Sequence, residues 1–113
     1  MTPYIFQRGE TISIALDAVT GDPLSVAAIS AGMKMVAPGR TGVSASAPLA
    51  ATFTVAARPA QGDIPPGWTM TVDAAISAGL AVGNYLADAK LTVGGGVVIT
   101  ESVAIIVRES VSA

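Results

Sequence analysis

The sequence predicts an all-β domain, an antiparallel β-sandwich of about seven strands, on three observations. Apolar and polar residues alternate with period two along several runs, as a strand with one buried and one wet face requires. Clusters of Gly, Pro, Asp and Ser punctuate those runs. Between them lies no helical pattern long enough for a βαβ crossover.

The strands are expected near residues 3–8, 10–17, 26–36, 52–57, 67–73, 84–93 and 97–108. In ETISIALD, Ile12, Ile14 and Leu16 alternate with Ser13 and Asp17. TGDP at 20–23 is tight-turn material, and APGRTGVSASAP at 37–48 is a loop of small and polar residues. Phe53 and Val55 alternate with Thr52 and Thr54. Trp68, Met70 and Val72 alternate with Thr69, Thr71 and Asp73. PAQGDIPPG at 59–67 connects those two runs. The segment DAAISAGLAVG at 73–83 suits one short helical turn capped by Asp73.

The closing part is a long hairpin pivoting on Gly94, Gly95 and Gly96. Tyr85, Ala87, Ala89, Leu91 and Val93 form the apolar side of its first arm, against Asp88, Lys90 and Thr92. Val97, Ile99, Val103, Ile105 and Val107 form that of the second, with Glu101 at a rim or a bulge. Length and strand count favour an immunoglobulin-like topology, with a small barrel as the alternative. One domain spanning 1–113 accommodates all of it.

Composition removes several kinds of chemistry. The chain has no Cys and no His, which eliminates thiolate and imidazole zinc sites and Ser-His or Cys-His nucleophile pairs. Six Lys and Arg stand against eight Asp and Glu, dispersed singly, so no basic face for nucleic acid is expected. The amino terminus carries no signal-peptide pattern and no run reaches the length of a membrane span. The expectation is a protein made and used without export. Hydrophobic residues make up 51% and charged residues 12%, a balance that predicts apolar surface covered by a partner.

A Gly two residues before a strand-opening Tyr is the pattern of a tyrosine corner, in which the hydroxyl bonds back to the preceding backbone of a Greek-key sandwich. Gly83 and Tyr85 are the candidates. The stretches Arg8 to Thr11 (RGET), Gly21 to Val26 (GDPLSV) and Gly83 to Asp88 (GNYLAD) follow the patterns R-G-[DE]-T, G-x-P-x-x-[LV] and G-x-Y-x-x-[DE]. In these stretches the chain resembles small immunoglobulin-like modules of tailed-phage structural proteins, in particular the amino-terminal module of phage baseplate upper proteins. The loop at 37–48 departs from that pattern, and no receptor-binding domain follows within these residues. The resemblance implies a virion part and no catalytic residue.

Other candidates have simpler structural explanations. Gly94 to Gly96 lead into a strand and lack the Lys-Ser/Thr of a phosphate loop. Asp17 and Asp22 flank a turn but lack the oxygen spacing of a calcium loop. Lys90, on a wet strand face, is unsuited to act as the base of a Ser-Lys dyad; Lys34 leaves that question open. Asp63, Asp73 and Asp88 lie in separate elements. Trp68, Phe53, Met70 and Met35 at strand spacing read as core.

The expected function is therefore non-enzymatic: a structural protein of a phage or prophage particle, in the tail, baseplate or fibre region, assembled in the bacterial cytoplasm. A capsid decoration protein of the same fold and a glycan- or ligand-binding module using loops 37–48 and 59–67 are the alternatives. No cofactor, metal, membrane, nucleic-acid or small-molecule substrate is expected. The partners are other virion proteins and a second copy of the chain. Val36, Leu86, Val98 and Ile106 have the parity opposite to their strands' apolar sets and are the expected contact residues.

Overall fold

The computed structural model describes residues 3–17, 26–37, 39–40, 42–43, 46–63, 66–93, 96–100 and 102–111. Among them the chain forms nine strands and one short helix: β1 (Tyr4–Gln7), β2 (Ile12–Asp17), β3 (Val26–Met35), β4 (Ala51–Thr52), β5 (Thr54–Arg58), β6 (Gly67–Val72), α1 (Ala74–Ser77), β7 (Gly83–Val93), β8 (Gly96–Ile99) and β9 (Val103–Arg108). The larger sheet runs β1-β9-β7-β3-β4, with β8 also paired to β7; the smaller runs β2-β6-β5. In immunoglobulin lettering β2, β6 and β5 take the places of B, E and D, and β3, β7 and β9 those of C, F and G. The result is an all-β sandwich of the immunoglobulin kind.

Alternation explains which residues the two sheets trap between them. Ile12 and Ile14 of β2 and Met70 and Val72 of β6 are buried from one side; Met33, Tyr85, Ile105 and Val107 are buried from the other. At the centre of the larger sheet the inward positions are alanines: Ala31 pairs with Ala89, and Met33 with Ala87. These alanines are at most 5% exposed. Small inward residues on one sheet leave room for the Ile and Met side chains of the other, the interdigitation that fills a sandwich core. Part of the high apolar content is therefore interior alanine.

Several elements differ from the sequence expectation. The run 52–57 is two strands. Ala51–Thr52 pairs with β3 and Thr54–Arg58 with β6, because the chain passes from one sheet to the other at Phe53, which is buried at 4% exposure. One pairing, β1 with β9, is parallel. Asp73 stands at the N-cap of α1, but its side chain makes no capping hydrogen bond. Met35 is 41% exposed, and Met33 takes the core position on that strand.

The run 97–108 divides into β8 and β9, both on the same side of β7. From Lys90↔Ile99 to Ala87↔Val103, β7 moves three residues and its partner four. One extra residue is thus accommodated between Ile99 and Val103, the signature of a β-bulge, and it inverts the parity of β8 relative to β9. Glu101, expected at such a feature, lies outside the described residues, as do Asp22, Gly94 and Gly95 and the turn at 20–23. β3 carries its own register shift between Val26 and Ala28, opposite the same end of β7.

Candidate functional site

Two regions hold the residues singled out by sequence: the corner where β7 begins, and the outer face of the larger sheet. At the corner, Tyr85 is 2% exposed and its hydroxyl donates to the backbone oxygen of Ala81 at 2.6 Å, four residues upstream. This is the hydrogen bond of a tyrosine corner at the junction of strands E and F. Burial pushes the Tyr85 hydroxyl above its ordinary pKa, while the Arg8 charge pulls the other way. Gly83 has φ 156, and a Cβ there would come within 2.9 Å of Met35 Cε. Glycine lets the chain turn beneath that methionine.

The corner has a second fastening that sequence reasoning missed. Arg8 donates from one guanidinium nitrogen to Glu109 Oε2 at 2.9 Å and from the other to Ala78 O at 2.9 Å. Gly9 N donates to the fully buried Ser77 Oγ at 3.1 Å. Glu10 N bonds to Gln7 O at 3.1 Å, and Gly9, at φ 89, takes the third position of that turn, where a type II turn needs a positive φ. The RGE stretch thus ties the β1–β2 turn to α1 and to the end of β9. Its signal was present in the sequence as a Gly-containing turn, but the partners at 77, 78 and 109 are distant in the chain.

On the outer face of the larger sheet, Leu86 lies between Ala104 and Lys34, and Ile106 lies between Asn84 and Ile5. Leu86 and Ile106 are both half-buried and sit diagonally on neighbouring strands. Val36 follows β3, is half-buried, and donates its N–H to Asn84 O at 2.8 Å. Val98 departs from this group. It was expected to face outward, but the bulge places it opposite Leu91, whose side chain packs against the core, so Val97 and Ile99 take the outward positions. Val98 is nonetheless 51% exposed, because nothing among the described residues lies over it.

A shallow groove crosses this face, lined by Gly32, Lys34, Leu49, Leu86, Asp88 and Ser102. It continues past Ser30 and Lys90 to Ile99. Leu49 forms its raised wall: it lies over Gly32, where a Cβ would meet Leu49 Cδ2 at 2.6 Å, yet remains 55% exposed. The lining mixes aliphatic side chains, Leu49, Leu86 and Ile99, with the charged Lys34, Asp88 and Lys90. Asp63, Asp73 and Asp88 are exposed and stay in separate elements. Among the described residues no three His, Cys, Asp or Glu side chains are grouped to hold a metal, and no helix is long and apolar enough to cross a membrane.

Comparison of the chain with family models, with curated proteins and with solved structures gave no match.

Proposed function

We propose that this chain is a non-catalytic structural module of a phage or prophage particle, acting through docking of its larger sheet onto neighbouring subunits in the tail, baseplate or fibre region. The observation that carries this reading is the distribution of exposed apolar side chains. Ile5, Leu49, Val97 and Ile99 are between 49% and 61% exposed, and all belong to the larger sheet or the loop lying on it. The smaller sheet presents Ser13, Ala15, Thr54 and Ala56 to solvent instead. Ile76 on α1 and Val82 before β7 are also exposed, at 50% and 48%, but of the two sheets it is the larger that carries exposed large aliphatics, and such a face suits an interface.

The resemblance of RGET and GNYLAD to phage structural modules supplies the particle context. A capsid decoration protein would use the same face, and the genes neighbouring this one distinguish the two. The test is co-sedimentation with purified tails and with purified capsids. Wild type should sediment with one of them, and Leu86→Lys with Ile106→Lys should abolish it. Failure of the wild type to associate with either particle overturns the reading.

A further inference from the structure

We infer that the free edge of β8 is a self-pairing edge, at which two copies of this chain join their larger sheets antiparallel about a two-fold axis at Val98. The direction of the backbone groups is the starting point. Thr100 N donates to Ala89 O at 2.9 Å, and Ala89 N donates to Thr100 Oγ1 at 3.0 Å, so the main chain of Thr100 faces β7. Backbone groups alternate in direction along a strand. Gly96 and Val98 therefore also face β7, and the N–H and C=O groups of Val97 and Ile99 point away from it.

On that side the described residues provide no strand. β1 covers β9 only from Tyr4↔Ile105 to Gln7↔Arg108, below the bulge. Four backbone groups are thus presented on an edge whose residues, Gly96, Val97, Val98 and Ile99, are all exposed and carry no charge and no proline.

The other edges are guarded in the ways folded proteins use. β4 has two residues, β5 ends in Arg58 before Pro59, β2 follows Glu10, and β1 lies between Pro3 and Arg8. Within its own four residues β8 carries neither charge nor proline.

A second copy fits this edge because the edge is its own complement. With Val98 opposite Val98 of the other copy, Val97 falls opposite Ile99 and Ile99 opposite Val97. Residues directly opposite in an antiparallel pair exchange both of their N–H···O bonds when those groups face each other. All four outward groups of each edge are then satisfied, and Val97 packs beside Ile99 on the outer face. Only the hairpin tips overlap, so β1, alongside the lower part of β9, is left clear. Four residues a side bury far less than the roughly 1,200–2,000 Å² of a standing interface. The pairing is accordingly weak in dilute solution and strong where copies are held together in an assembly.

This inference deepens the proposed assembly role and is testable apart from it. The two Val98 residues form a non-hydrogen-bonded pair, with Cα atoms about 4.5 Å apart, inside the roughly 4.4–6.8 Å range of a disulfide. The chain has no cysteine of its own. Under mild oxidation Val98→Cys should form a covalent dimer about tenfold or more faster than Leu49→Cys, as pairing raises the effective concentration. A mixture of Val97→Cys and Ile99→Cys should cross-link faster than either alone. Adding Val97→Lys and Ile99→Lys to Val98→Cys should remove the advantage while the urea midpoint stays that of the wild type. Cross-linking of Val98→Cys no faster than the Leu49→Cys control overturns the inference, as does a Val98→Cys adduct with a different particle protein in place of a second copy. Sedimentation of the wild type with particles, measured separately, then still decides the assembly reading.

Discussion

Along β7 a single alternating strand passes through two environments. At its base, from Gly83 to Ala89, the inward side chains Tyr85, Ala87 and Ala89 are at most 2% exposed, and β9 and β3 flank it on either side. At its tip, from Lys90 onward, Leu91 is only half-buried, and all four residues of the facing β8 are exposed. The cause is a mismatch of length. β7 has eleven residues, about 37 Å at strand rise, whereas β6 in the opposite sheet has six, about 20 Å. Among the described residues β7 is longer than any strand of the opposite sheet. The same periodicity therefore yields a core at one end and apolar surface at the other.

The comparison breaks most visibly at the base. Tyr85→Ala removes a buried ring and the corner hydrogen bond together, and should cost about 3–5 kcal/mol in urea unfolding. A loss no larger than that of an exposed substitution would mean that the corner does not organise the fold.

The next effect in size is Gly83→Ala, expected to cost about 1–3 kcal/mol, because a side chain at φ 156 is strained and its Cβ must displace Met35 Cε. The double change Gly83→Ala with Met35→Ala should recover the steric part and leave the backbone part, a partition that a two-by-two stability cycle measures.

Tyr85→Phe keeps the ring and loses the bond to Ala81 O, for about 1 kcal/mol. Its pH dependence sharpens the point. The hydroxyl titrates higher in the folded state than the ordinary 10.0. Between those two values the unfolded chain has lost its proton while the folded one keeps it, so stability falls as pH rises. The contribution is complete below pH 10.0 and declines above it. Unfolding midpoints followed from neutral pH through that region should fall more in the wild type than in Tyr85→Phe. Parallel curves would show that Tyr85 is not the responsible group.

The smallest effect belongs to the tip. Val97→Thr and Ile99→Thr should each change stability by less than about 0.5 kcal/mol, as exposed substitutions do. A loss comparable with that at Tyr85 would mean that these side chains are covered within the monomer.

Much of this architecture could be read from the chain. The strands at 12–17, 26–35, 67–72 and 83–93 follow from alternation and their bounding turns, because a strand with one dry face admits little else. The Gly83–Tyr85 spacing identified the position of the corner, since its hydrogen bond is local, only four residues long. The strand break at Phe53 was not legible: period two continues smoothly through it, and only the pairing on either side reveals a change of sheet. The Arg8 fastening was equally hidden, because its partners lie 70 and 101 residues away.

The sequence by itself determined the fold class, the faces of most strands and the absence of thiol and imidazole chemistry, because these depend on composition and on nearest-neighbour periodicity. Tertiary structure decided which of the outward aliphatics matter. Parity counted straight through 97–108 puts Val98 outward, whereas one bulged residue against β7 exchanges it for Val97 and Ile99. It also decided which edge is open among the described residues, since β1 pairs with β9 only from Tyr4 to Gln7. Register and edge exposure are properties of how strands are matched in space, and no run of residues contains its partner's length.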